Sequence, residues 1–147
     1  MAVHAAIYDF FSYLRLIVYR INFKTTDKMK EQVSKKFQEL YGEGAVLFAS
    51  PGRINLIGEH TDYNGGFVFP GAVDKGIVAA IRLNGTDRVR AYALDLGESS
   101  EFGLREEDKP AESWARYIFG VCREVQKRGG RIGGFDTCLL YTSPSPR

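Results

Sequence analysis

Apolar residues recur along this chain with two different periods, and the changes of period divide it into elements. Across 28–41, Met29, Val33, Phe37 and Leu40 fall three or four residues apart, the spacing that lines one face of a helix. Asp27 stands where a helix cap would, and Gly42 where the chain can turn out of the helix. A stronger stripe covers 113–128: Trp114, Tyr117, Ile118, Val121, Cys122 and Val125 follow helical spacing, and Gly129-Gly130 ends it.

Between these helices lie short runs of β character at 45–49, 76–83, 88–94 and 100–104, separated by turn chemistry such as Asn84-Gly85 and the region of Gly97. In the third run Val89, Ala91 and Ala93 alternate with Arg88, Arg90 and Tyr92, the signature of a strand with one buried and one wet face. A last strand is expected over 131–140. Antiparallel pairing is the simplest connection, giving mostly antiparallel strands with covering helices. Strands first and a covering helix afterwards predict an α+β domain rather than a regular βαβ repeat. No internal repeat is visible.

The two ends differ from this middle. Residues 1–23 carry an apolar stripe of Phe10, Phe11, Leu14, Ile17, Val18 and Ile21, but Asp9, Arg15 and Arg20 interrupt it. It falls short of the roughly 20 apolar residues of a membrane span and lacks the frame of a signal peptide. It reads as a surface that packs on the domain or as non-native upstream sequence. Residues 141–147, with two prolines, continue neither strand nor helix and read as a tail, as a truncated or foreign end would. Three segments result: an N-terminal extension (1–28), one domain (29–140) and the tail.

Composition narrows the function. A length of 147 residues with 44% hydrophobic content supports one globular domain. The 20 Lys and Arg against 18 Asp and Glu are scattered, giving a net charge of +2 and no basic stripe to grip nucleic acid. Cys122 and Cys138 make neither a disulfide framework nor a zinc set with the two histidines, so reduced thiols and a cytoplasmic location are expected. Asn84-Gly85-Thr86 matches a glycosylation acceptor but reads as a turn.

The chemistry concentrates in 50–70, SPGRINLIGEHTDYNGGFVFP. Arg53, Asn55, Glu59, His60 and Asp62 surround the apolar pair Leu56-Ile57, and Gly58, Gly65 and Gly66 permit unusual turns and close approach. Carboxylates and an imidazole make directional hydrogen bonds to neighbouring hydroxyls, so a polyhydroxylated ligand fits. Glu59, His60 and Asp62 are also metal-ligand types, but no second histidine or cysteine lies nearby, and no metal site is expected. No GxxxxGK[ST] loop is present, and Arg128–Gly134 is not placed between a strand and a helix as a dinucleotide loop must be.

The run Gly52-Arg53-Ile54-Asn55-Leu56-Ile57-Gly58-Glu59-His60-Thr61-Asp62-Tyr63 resembles the complete galactokinase signature, and the likeness extends from about Met29 to Leu140. The resemblance implies the superfamily of galactokinase, homoserine kinase, mevalonate kinase and phosphomevalonate kinase, with its ribosomal protein S5 domain 2-like fold. It implies ATP- and Mg2+-dependent phosphorylation of the galactose C1 hydroxyl. Glu59, His60, Thr61 and Asp62 would hold the sugar, and Arg53 would stabilise the transition state beside the reacting hydroxyl. Trp114 and Tyr117 match in type and spacing an aromatic pair near adenine, and equally match a core stripe of their helix. The family continues past the strand ending near Leu140 into a serine-rich phosphate loop and, further on, a catalytic aspartate. This chain has Tyr-Thr-Ser-Pro-Ser-Pro-Arg there instead, so an N-terminal part inactive by itself is expected. Regulators that sense galactose, and sister kinases of N-acetylated sugars such as N-acetylgalactosamine, share such residues and are the alternatives.

Overall fold

The structure is a computed structural model that describes residues 24–58 and 60–142. The apolar stripe of 10–21, Glu59 and the tail beyond Thr142 lie outside the described residues.

Helix α1 runs Lys24–Tyr41. It starts before residue 28, so Asp27 is a first-turn acid paired with Lys30 at 3.3 Å rather than a cap. A negative charge there still suits the positive end of the helix dipole. Met29, Val33 and Phe37 are buried as their spacing requires, but Leu40 is 41% exposed. Tyr41 takes the inward place, its ring edge-on to Phe37 with centroids 5.1 Å apart.

Five strands follow: β1 (Val46–Asn55), β2 (Pro70–Leu83), β3 (Arg88–Ala93), β4 (Glu98–Gly103) and, after helix α2 (Ser113–Lys127), β5 (Phe135–Tyr141). They form one sheet in the order β1-β2-β5-β3-β4. All neighbours are antiparallel except β3 and β5, which run parallel. The expectation of mostly antiparallel strands holds, with this pair as the parallel exception. A chain that leaves β4, passes through a helix and returns has the crossover that parallel neighbours need.

Strands β1 and β2 are much longer than the runs read from sequence. Pro51, Gly52, Pro70, Gly71 and Gly76 conceal them. The ladder accommodates these residues by shifting register between Pro51 and Arg53. Gly76 lies opposite Pro51, where a Cβ would come within 2.2 Å of the Ser50 carbonyl oxygen. Proline is tolerable because β1 is an edge strand. At β5 the difference is reversed. Residues 131–134 remain a loop, since a Cβ on Gly134 would meet the Arg88 and Thr86 carbonyl oxygens at 2.4 and 2.6 Å.

The helices bury two separate cores. Met29, Val33 and Phe37 of α1 pack on Val78, Ala80 and Cys138, with Tyr92 at the margin. Ala115, Phe119 and Cys122 of α2 pack on Val89, Phe102 and Leu104, with Phe135 beside them. Tyr92 and Val89 are three apart on one strand, as are Cys138 and Phe135, so alternation puts the two cores on opposite faces of the sheet. Both cysteines are free and buried, and burial pushes each thiol up to about 11.

A charged node joins α1 to three strands. Asp136, fully buried on β5, accepts hydrogen bonds from Arg82 of β2 at 2.9 Å, from Arg90 of β3 at 2.7 and 2.9 Å, and from Asn84 at 2.9 Å. Register makes both arginines direct cross-strand neighbours of Asp136. Their guanidiniums lie over the α1 rings, Arg82 over Phe37 and Arg90 over Tyr41, at 5.6 and 5.3 Å. Burial alone would raise the Asp136 carboxyl, but the bonds from Arg90, Asn84 and Arg82 hold it below the usual carboxylate range. Burial, reinforced by the Asp136 charge, pushes the Tyr41 phenol up to about 12. The Asn84 side chain is committed to this node and to its own turn, where its Oδ1 accepts from the Thr86 N–H at 3.0 Å.

Candidate functional site

Strands β1 and β2 converge on Asn55 and Pro70, which are register partners, and the polar segment found in the sequence forms the loop between them. The strand pairing carries on briefly into this loop. Leu56 N–H donates to the Phe69 carbonyl at 3.0 Å, and Phe69 N–H to the Ile57 carbonyl at 3.0 Å. Beyond that point Gly58 turns the chain at φ 98°, where a Cβ would stand 2.5 Å from the Phe67 carbonyl oxygen. Only glycine fits both the angle and the space.

Thr61 closes the loop. Its hydroxyl lies 2.6 Å from the Gly58 carbonyl oxygen and 3.1 Å from that of Phe67. Its own carbonyl accepts the N–H groups of Asn64 at 3.1 Å and Gly66 at 2.8 Å. Residues Asp62–Asn64 make a single 3-10 turn, ended by Gly65 in the left-handed region. The Thr61 hydroxyl thus holds the two arms of the loop together.

His60 has φ 62°, the one non-glycine residue with positive φ among the described residues. A left-handed conformation costs an L-residue about 1–2 kcal/mol. Two contacts hold it there: Asn64 Nδ2 donates to the His60 carbonyl at 2.8 Å, and the imidazole Nδ1 meets the Tyr63 hydroxyl. Tyr63 closes the twelve-residue motif, and the sequence alone gives its hydroxyl no partner. Its position three residues after His60 was the available signal. Arg53 lies exposed on β1 just after the register shift, opposite Ala72.

The loop is apolar as well as polar. Leu56, Ile57 and Phe69 are exposed, and Phe67 is 99% exposed. The structure thus gathers Arg53, His60, Thr61 and Asp62 at one end of the β1–β2 pair. Trp114 and Tyr117 are not brought to them. They lie on α2, whose core is built on β3 and β4 at the other edge of the sheet. Trp114 is half-buried and donates its indole N–H to Glu98 at 2.9 Å, whereas Tyr117 is 80% exposed.

Comparison with known proteins places this architecture in a class and then in a family. The fold is shared with Methanococcus jannaschii mevalonate kinase, which superposes with a TM-score of 0.55 over 70% of this chain and 34% of its own, at 18% identity. The crystal structure of Lactococcus lactis galactokinase complexed with galactose superposes with a TM-score of 0.68 at 39% identity, over 76% of this chain and 30% of its own. Residues 35–83 match the galactokinase galactose-binding signature. Curated galactokinases match too. That of Roseiflexus sp. strain RS-1 is 41% identical over 118 residues, 79% of this chain and 29% of the relative. That of Enterococcus faecalis is 37% identical over 122 residues, 80% of this chain and 32% of the relative. The chain belongs to the galactokinase family, and it spans about 30% of the length of these relatives.

Proposed function

We propose that this chain is the galactose-recognition part of a galactokinase, an enzyme that transfers the terminal phosphoryl group of ATP to the C1 hydroxyl of galactose. The observation that carries the reading is the division of labour in the 56–69 loop. Backbone groups, glycines and the Thr61 hydroxyl hold its shape, so that Arg53 and the His60 ring stand at the surface, available to a ligand.

A galactose ring offers hydroxyls that both donate and accept. In this reading the carboxylates of Glu59 and Asp62 accept from them, and His60 adds a donor or acceptor at its ring edge. Thr61 contributes through the loop it closes. Arg53, five residues before Gly58 on a firm strand, supplies a permanent positive charge. Beside the reacting hydroxyl it would favour the ionised form of a catalytic aspartate and offset charge developing on the phosphoryl oxygens.

ATP and Mg2+ belong to the whole reaction and supply the phosphoryl group and its charge neutralisation. Among the described residues no group of three His, Cys, Asp or Glu is gathered to hold a metal ion. The Trp114 and Tyr117 pair remains the candidate for adenine, with Tyr117 as the accessible face.

Titration of the chain with galactose and with glucose, followed by chemical-shift changes, tests the reading. Galactose should perturb residues 53–66 and glucose should do so much less. Asp62→Ala should weaken galactose binding by about 1–3 kcal/mol if a hydroxyl loses its partner. Equal affinity for both sugars would overturn the galactose reading, and an unchanged affinity in the variant would remove Asp62 from the site.

A further inference from the structure

The His60 ring meets Tyr63 in two ways. Its Nδ1 is in hydrogen-bond contact with the Tyr63 hydroxyl, and the rings stand edge to face with centroids 5.9 Å apart and planes at 72°. Both residues are exposed, so no packed core forces them together. The contact is built by the loop: the 3-10 turn of Asp62–Asn64 brings the side chain at position 63 back toward position 60, while Asn64 anchors the His60 carbonyl.

A neutral imidazole carries one N–H and one lone pair, and the partner of one nitrogen decides which nitrogen keeps the proton. A phenol hydroxyl donates more readily than it accepts, because its lone pairs are drawn into the ring. The Tyr63 hydroxyl therefore donates to Nδ1, and the imidazole proton resides on Nε2. We infer that Tyr63 is a positioning residue that fixes the orientation and tautomer of His60, so that Nε2–H is offered as a donor to a sugar oxygen. This rests on the galactose reading of the loop for the identity of the acceptor. The tautomer itself does not depend on it.

The reading gives the unusual backbone at His60 a purpose. In an extended conformation the side chain at position 60 would point away from its neighbours in the turn. At φ 62° it stands where Tyr63 reaches it. The same geometry explains why a tyrosine serves at position 63 despite being mostly exposed there, since its hydroxyl has a task that burial does not require.

Nitrogen-15 NMR of the 147-residue chain tests the inference, because it holds only two histidines, His4 and His60. A His60→Gln spectrum assigns them. Tyr63→Phe keeps the ring and removes only the hydroxyl. In the unsubstituted chain at a pH where His60 is neutral, Nδ1 should appear as the unprotonated nitrogen and Nε2 as the protonated one. Tyr63→Phe should shift this toward a mixture and weaken galactose binding about 3- to 10-fold, the effect of losing one oriented hydrogen bond. Identical tautomer ratios in the two chains would overturn the inference, as would a changed ratio with unchanged galactose affinity. If galactose fails to bind even the unsubstituted chain, the sugar acceptor falls together with the galactose reading, and the tautomer ratios alone then decide whether Tyr63 orders His60.

Discussion

The α2 side of the sheet and the 56–69 loop are both rich in apolar residues, yet they use them in opposite ways. Val89, Phe102, Ala115, Phe119 and Cys122 are packed away from water, with the Phe102 and Phe119 rings edge to face at 6.0 Å. Leu56, Ile57, Phe67 and Phe69 are left exposed. Packing holds the first region. The second is held by backbone hydrogen bonds, by Gly58 at a position no other residue fits, and by one threonine hydroxyl. Hydrophobic character alone therefore does not tell a core from a site. What distinguishes them is whether another element lies against the apolar residues: on α2 itself Tyr117 and Val121 keep helical spacing and still stand exposed.

The largest expected break in this comparison is Phe119→Ala, which removes a ring from the α2 core. It should cost about 3–5 kcal/mol of stability by urea unfolding, because the surrounding sheet cannot collapse into the space. The hydrogen bonds of the 56–69 loop should survive until global unfolding.

Asp136→Asn comes next, with a cost of about 1–3 kcal/mol as both arginines lose a charged acceptor. It should also change the acid response. The Asp136 carboxyl is depressed in the folded state. Its contribution is therefore present above the carboxylate value of the unfolded chain and is lost as the pH falls through the lower folded value. Denaturant midpoints measured from pH 7 downward should fall more steeply in the unsubstituted chain than in the asparagine variant. Equal slopes would show that the node carries no linked proton.

Smaller and local is the effect of Gly58→Ala, which forces a Cβ into a left-handed turn and against the Phe67 carbonyl. A cost of about 1–2 kcal/mol is expected, read as faster amide exchange at Gly66 and Phe69 with unchanged protection in α2. Smallest of all is Phe67→Ser, expected within about 0.5 kcal/mol of the parent because the ring is bare. A large loss there would mean that the ring packs on something in solution and that the contrast between the two regions is wrong.

Helix α2 and strand β3 are legible from sequence because their signals are local, but the face that α2 buries differs from the expected stripe: Ala115, Phe119 and Cys122 turn inward, whereas Tyr117 and Val121 are 80% and 55% exposed; in β3, Val89, Ala91 and Ala93 turn inward as a period of two demands. Strands β1 and β2 were read too short. Proline and glycine are breakers in isolation, and only the register shift at Pro51 and the close approach at Gly76 show them to be part of the ladder. Asp136 drew no notice, since a lone aspartate in a hydrophobic strand gives no hint of two arginines arriving from strands 46 and 54 residues away. At the site, Arg53, His60 and Asp62 were visible as an unusual density of polar types. Thr61 as the loop's clasp and Tyr63 as the partner of His60 were not, because a sequence does not say which hydroxyl faces a carbonyl.

The sequence by itself determined the positions of the two described helices, the alternation of β3 and the twelve-residue motif that carries the family. Each of these depends on residues within a few positions of one another, where spacing and conformation are tightly coupled. The tertiary structure alone decided the parallel β3–β5 pair, the cores on opposite faces, the Asp136 node and the separation of Trp114 from the sugar loop. Those outcomes depend on which distant segments lie side by side, a competition among long-range contacts that local spacing leaves open.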